Sequence, residues 1–221
     1  MNEATPEALN EIKRQIAAHC KIAGRDRDAV QLIAVSKTRT ADEIMPLLIA
    51  GHRVFGENRV QEADAKWPAL KADFPDVELH LIGQLQSNKA DEAVAAFDTI
   101  HSLDRLTLVK ALGKAMREQG RAIPCFLQVN IGVEAQKGGC AISDITALLA
   151  SAKDEGVPII GLMCLPPADI EPAPFFALLA ELAARHGLTQ LSMGMSDDFG
   201  TAIMLGATHI RVGTALFGAR A

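Results

Sequence analysis

A lysine closes an apolar, β-rich run: Leu32-Ile33-Ala34-Val35-Ser36 leads straight into Lys37. Strand alternation puts Lys37 on the same face as Ile33 and Val35. A lysine drawn out of water there has a lowered pKa and a larger neutral-amine fraction, which suits it to condense with an aldehyde. The competing reading is a strand-end lysine that extends its ammonium to solvent. Two later segments share a different design. Leu191-Ser192-Met193-Gly194-Met195-Ser196-Asp197-Asp198 reads as strand, small-residue loop and helix start capped by Ser196, and Arg211-Val212-Gly213-Thr214-Ala215-Leu216-Phe217-Gly218 repeats the layout with Gly213 and Thr214 at the turn. Glycines let backbone approach a ligand closely, and a helix N-terminus offers unpaired N–H groups to an anion. The plainer alternative makes Ser196 a simple cap and Gly213 a simple turn residue. Asp197 and Asp198 must point away if an anion sits there. Arg211, inside an apolar strand, needs a partner, either a buried carboxylate or a ligand.

These residues need elements to hold them. Short apolar runs at Leu32–Val35, Arg53–Phe55, Glu78–Ile82, Thr99–His101, Cys125–Asn130, Pro158–Met163, Thr189–Leu191 and His209–Val212 read as eight strands. Helical stretches lie between them at Ala41–Ala50, Glu57–Leu70, Asn88–Phe97, Asp104–Gln119, Ile142–Lys153, Pro174–Arg185 and Asp197–Leu205. A further amphipathic helix from Pro6 to Ala23 precedes them, with Thr5 as its cap and Gly24 as its stop. Strict βα alternation implies parallel strands. Eight such units predict a single-domain α/β chain, residues 1–221, folded as a (β/α)8 TIM barrel with an extra N-terminal helix. An open doubly wound sheet is the competitor, but no Gly-rich dinucleotide fingerprint follows the first strand. In a barrel, active sites lie at the C-terminal ends of the strands, with phosphate commonly held after strands seven and eight. Lys37, Ser196, Gly213 and Thr214 fall there.

Composition narrows the chemistry. The chain has 221 residues, 49% apolar and 22% charged, with 22 Lys/Arg against 27 Asp/Glu and a net charge of −5. A mildly acidic chain with 4% aromatic residues argues against nucleic-acid binding, which favours a basic stripe and stacking rings. Cys20, Cys125, Cys140 and Cys164 are widely spaced and form no metal or redox motif, which fits reduced thiols in the cytoplasm. Residues Met1–Glu7 lack a signal-peptide layout, and no apolar run approaches the roughly 20 residues of a membrane span. His80, His101 and His209 lie in strands without metal-ligand spacing and read as structural. Gln86-Ser87-Asn88-Lys89 reads as a loop that lines the mouth or contacts a recipient protein, or as a solvated loop, and Lys137-Gly138-Gly139 as an anion site or a flexible turn.

An imine-capable lysine on strand one and an anion cradle on strands seven and eight describe a ligand with an aldehyde at one end and a phosphate at the other. Pyridoxal 5′-phosphate (PLP) meets that description, and so does a sugar phosphate on a Schiff-base aldolase. The blocks Ala34-Val35-Ser36-Lys37-Thr38, Gly56-Glu57-Asn58-Arg59-Val60-Gln61-Glu62, Ile82-Gly83-Gln84-Leu85-Gln86-Ser87-Asn88-Lys89, Gln128-Val129-Asn130, Gly161-Leu162-Met163, Leu191–Asp197 and Arg211–Gly218 resemble the YggS/PROSC family of PLP homeostasis proteins, in order, from about residue 32 to Arg220. The resemblance implies an alanine-racemase-type barrel carrying PLP as a Schiff base on Lys37. It implies that Ser196, Gly213 and Thr214, with the Ser192, Met193 and Gly194 backbone, hold the phosphate, that Arg211 faces the pyridine nitrogen, and that Asn58 lies by the ring. Arg59, Leu79 and Thr40 depart from the family pattern without touching these positions.

An arginine at the ring nitrogen donates a hydrogen bond but does not share its proton, so the ring is a weak electron sink. The chain contains no tyrosine, the usual second acid/base of a racemase of this fold. The expected function is therefore a PLP-binding protein serving vitamin B6 homeostasis with little or no catalysis, monomeric, delivering PLP to PLP-dependent apo-enzymes, and associated with neither nucleic acid nor membrane. An amino-acid racemase or decarboxylase, or a Schiff-base aldolase, is the alternative.

Overall fold

A computed structural model describes residues 6–218. The predicted cap Thr5 and the end of the family resemblance at Arg220 lie outside them. Eight parallel strands run in chain order and close: β1 (Gln31–Val35), β2 (Val54–Glu57), β3 (Glu78–Leu81), β4 (Thr99–Leu103), β5 (Cys125–Val129), β6 (Ile159–Cys164), β7 (Gln190–Ser192) and β8 (His209–Val212). β8 pairs back onto β1, with Ile33 beside Arg211 and Ala34 beside Val212, so the open-sheet alternative falls. Outside the barrel lie α1 (Pro6–Ile22), α2 (Ala41–Ile49), α3 (Val60–Asp73), α4 (Ala90–Ala96), α5 (Leu106–Gln119), α6 (Ile145–Glu155), α7 (Ala173–Arg185), α8 (Phe199–Met204) and α9 (Thr214–Phe217). α1 buries Leu9, Ile12, Ile16 and Cys20, spaced on one helical face, and packs on α8 and α9.

Strand alternation sorts the core into two layers. Leu32, Ala34, Phe55, Leu79, Leu81, Leu127, Leu162, Leu191, Ile210 and Val212 face the helices and are fully or nearly fully buried. Each of these side chains other than Ala34 contributes about 2 kcal/mol by leaving water. The residues between them point into the barrel: rings of His80, His101, Phe126 and His209, from β3, β4, β5 and β8, meet at centroid distances of 4.4 to 6.3 Å. Strands so far apart around the barrel touch only across its interior.

Several boundaries differ from the sequence reading for physical reasons. β2 runs on to Glu57, which the helical pattern had claimed for α3. The Glu57 carboxylate is fully buried behind the strand, where Oε1 accepts from Ser36 Oγ (2.6 Å) and Trp67 Nε1 (3.0 Å) and pairs with Lys66 Nζ at 2.7 Å. Lys66 also donates to the Ser36 and Arg39 carbonyls, so this cluster anchors the chain on either side of Lys37. α8 starts at Phe199 rather than Asp197, and the helix start read after the Gly213–Thr214 turn is the single-turn α9. Among the described residues, no helix is long and apolar enough to cross a membrane.

Candidate functional site

A cavity of about 460 Å³ opens at the C-terminal ends of the strands. Lys37, Asn58, Ser196, Arg211, Gly213 and Thr214 all line it, though they come from β1, β2, β7 and β8 and the segments that follow them. Lys37 is half-buried, immediately past β1 and in phase with Ile33 and Val35. The next residue, Thr38, takes φ 63°, a left-handed conformation costly for a branched residue, and the chain leaves the strand direction there. Asn58 follows β2 and is pressed by the β3 loop: a Cβ on Gly83 would sit 2.3 Å from the Asn58 carbonyl oxygen, so only glycine permits this approach.

Arg211 is buried to 4% exposure, and desolvation holds its pKa below the usual arginine value. Its Nη1 donates to Ser192 Oγ at 2.6 Å and its Nη2 to the Cys164 carbonyl at 2.9 Å. Among the described residues Arg211 forms no ion pair, so the buried-carboxylate alternative is not the one the fold adopts. A guanidinium carries five N–H donors, which leaves donors for an acceptor in the cavity.

Ser196 does not cap α8. It lies in the turn before that helix, and its Oγ accepts from Ala215 N at 3.3 Å, tying the β7 turn to the β8 turn. Asp198 folds back so that its carboxylate accepts from Met195 N at 2.5 Å, and burial raises its pKa. Asp198 does not line the cavity, whereas the exposed Asp197 does, so only one of the two carboxylates turns away as an anion site requires.

Ser192, Met193 and Gly194 are not among the residues that line the cavity. Ser192 points into the barrel beneath Arg211. Met193 alternates to the helix layer, where it is fully buried, and its N–H is taken by the His209 carbonyl. Gly194 has φ 94° and packs under α8, where a Cβ would lie 2.6 Å from that of Ala202. Its carbonyl accepts from Arg211 N. These three hold the wall without forming its surface. Gln86–Lys89 also lies off the cavity.

Arg39, Gln84, Gln128 and Phe217 also line the cavity and were not singled out in the sequence, and Lys137, read there as part of an anion site or a flexible turn, joins them. Arg39 pairs with Glu43 at 2.9 Å and donates to the Gly218 carbonyl. Gln84 donates to Gln128 Oε1 at 2.6 Å, and Gln128 donates to the Gly138 carbonyl. Lys137 Nζ is held by Glu134 at 2.6 Å and the Pro166 carbonyl. The signal for Gln84 and Gln128 was a polar amide at or just past a strand end, which strand patterning alone does not rank. No cysteine lines the cavity among the described residues, and burial pushes the Cys125, Cys140 and Cys164 thiols up to about 12.

Fold and site together define a closed barrel of the alanine-racemase type with a lysine and two adjoining turns at its mouth. The chain matches the family described as alanine racemase, N-terminal domain, over residues 8–221. A pyridoxal phosphate homeostasis protein of Pseudomonas aeruginosa is 42% identical over 220 residues, 97% of this chain and 95% of that one. The structure of PipY from Synechococcus elongatus with PLP bound superposes with a TM-score of 0.79 at 42% identity, covering 92% of this chain and all of that chain. The chain belongs to the alanine racemase N-terminal domain family and, within it, to the pyridoxal phosphate homeostasis proteins. D-threo-3-hydroxyaspartate dehydratase from Delftia sp. HT23, at 19% identity and TM-score 0.63, shares the fold alone, and this chain covers 59% of its length.

Proposed function

We propose that this protein binds PLP reversibly on Lys37 and serves its homeostasis in the cytoplasm as a monomer that delivers the cofactor to PLP-dependent apo-enzymes. The observation that carries the reading is the single cavity shared by Lys37, Arg211 and the paired turns at Ser196 and Gly213–Thr214. The donor set fits the group. An amine at one side meets an aldehyde, a buried guanidinium suits the lone pair of a pyridine nitrogen, and hydroxyls and turn backbone suit a phosphate. The relatives that carry this name and the PLP-bound PipY support it.

PLP supplies an aldehyde for imine formation and a ring that accepts electrons in proportion to the proton held on its nitrogen. The protein limits the second property. Arg211 donates without giving up its proton, which leaves the ring nitrogen largely unprotonated. The usual second acid/base of a racemase of this fold is unfilled, because the chain has no tyrosine and, among the described residues, no cysteine lines the cavity. Binding and release are thus served better than turnover. The reading is tested by the visible absorption of the purified protein titrated with PLP. The expected result is an imine band in the wild type that Lys37→Ala abolishes and borohydride fixes to Lys37. A colourless protein that borohydride traps only with a sugar phosphate would replace PLP by the aldolase reading. Racemisation of any amino acid at about 1 s⁻¹ or faster would make it an enzyme.

A further inference from the structure

Beneath the cavity the barrel interior holds a line of polar side chains that cofactor binding does not itself require. Arg211 Nη1 donates to Ser192 Oγ at 2.6 Å, Ser192 Oγ lies 2.8 Å from His101 Nδ1, and His101 Nε2 lies 2.9 Å from His80 Nδ1. His80 Nε2 has no hydrogen-bond partner and faces Glu78 Oε2 across 3.7 Å. Ser192, His80 and His101 are exposed by 2% or less, whereas the Glu78 side chain is 56% exposed at the N-terminal end of β3. The line therefore starts at the cavity wall and ends at solvent on the opposite mouth.

Its direction follows from which atoms own protons. Arginine only donates, so Ser192 accepts from it and has its own proton for His101 Nδ1. His101 then carries its proton on Nε2 and gives it to His80 Nδ1. His80 in turn carries its proton on Nε2, facing a carboxylate. The reverse order sets an imidazole lone pair against the Glu78 carboxylate and leaves the Ser192 proton without an acceptor among the described hydrogen bonds. Burial keeps His101 neutral, as this arrangement requires, by holding its pKa well below the usual histidine value. Aligned hydrogen bonds of this kind polarise and stiffen one another.

We propose that Ser192, His101 and His80 form a one-way hydrogen-bond relay, ended by Glu78, that positions the Arg211 guanidinium toward the ring nitrogen of the bound cofactor. His101 and His80 are positioning residues that act through Ser192. The link to the ring nitrogen rests on the PLP reading above, while the relay itself belongs to the protein with or without cofactor.

The test has two arms. In the cofactor-free protein labelled with ¹⁵N-histidine, long-range ¹H–¹⁵N spectra report each imidazole tautomer. Nε2–H on both His101 and His80 is expected, and Nδ1–H or a cation on either at neutral pH overturns the relay. In the second arm PLP is titrated into two variants. His101→Leu fills the space without hydrogen bonds and is expected to weaken PLP by about tenfold and to shift the visible band. His101→Gln offers an amide oxygen to Ser192 and an amide N–H to His80, and is expected to restore both to near wild type. A folded His101→Leu with wild-type band and affinity, or a Gln variant no better than Leu, removes His101 from the role. If His101→Leu does not fold, Glu78→Leu at its exposed position takes its place. A mixture of His80 tautomers is then expected, and an unchanged tautomer removes Glu78 from the end of the relay. A wild-type protein that takes up no PLP sinks the cofactor reading, while the tautomers still decide the relay.

Discussion

The two ends of the barrel interior are both polar and are built to opposite purposes. Toward the strand C-termini, Lys37, Asn58, Arg211, Gln84 and Gln128 stand around about 460 Å³ of open space. Toward the N-termini, His80, His101 and His209 fill the barrel with Phe126, and His101 stacks on that ring at 4.4 Å. Polar groups at the closed end largely spend their hydrogen bonds on one another. Those at the open end are fixed by internal bonds and line a cavity. A polar residue in a strand therefore marks a binding site only when the space beside it is empty, and residue type alone does not say which case holds. Arg211 belongs to both ends, since it is held from below and faces the cavity above.

The largest effect separates the ends outright. Lys37→Ala is expected to abolish the visible band on PLP titration while leaving the thermal midpoint within a few degrees, because a half-buried rim side chain carries little of the fold. A band that survives in Lys37→Ala would move imine chemistry to another amine.

Acid is expected to break the closed end next. Desolvation lowers the pKa of His101 well below normal, that of His209 to about 3 and that of His52 to about 4. The folded values lie below the unfolded value of about 6.5, so the unfolded chain binds protons first. Stability is then complete above about pH 6.5 and falls with pH below it, by about 1.4 kcal/mol per pH unit for each histidine. The three together give a slope of about 4 kcal/mol per unit between about pH 6 and 4. Urea melts at pH 7, 6 and 5 measure it, and His101→Gln should remove about one third of the slope. A urea midpoint that does not move with pH would mean that these rings are solvated.

The two ends were not equally legible in the sequence. Eight strands were readable because Val, Ile and Leu runs alternate with helical stretches, and Lys37 and Arg211 were readable because charge interrupts those runs at strand ends. The closed end was not, because the meeting of His80, His101 and His209 depends on contacts across a barrel that no local pattern encodes. Glu57 was assigned to a helix start because a lone carboxylate reads as surface, and only its partners Ser36, Trp67 and Lys66 make it a strand residue. The family resemblance implied a place for Ser192, Met193 and Gly194 at the phosphate, and no local pattern showed that Ser192 would turn into the barrel and Met193 to the helix layer.

Arg211→Glu tests the residue that joins both ends. The new carboxylate would face the Cys164 carbonyl with no proton to donate, at a cost of about 3 kcal/mol in stability. Beside the ring it would draw a proton onto the pyridine nitrogen and move the visible band. An unshifted band in folded Arg211→Glu protein would take Arg211 away from the ring nitrogen.

Ser196→Ala should give the smallest change, and it isolates the open end most cleanly. Among the described residues the only hydrogen bond of Ser196 Oγ is the long one, 3.3 Å, accepted from Ala215 N, so the fold loses less than about 1 kcal/mol. A phosphate that loses one hydroxyl donor binds about fivefold more weakly. Pyridoxal, which carries the same aldehyde and ring without the phosphate, should bind wild type and Ser196→Ala equally. Parallel titrations of the two aldehydes measure the difference. Equal losses for both would place Ser196 beside the ring or the imine and leave the phosphate to the Gly213–Thr214 turn alone.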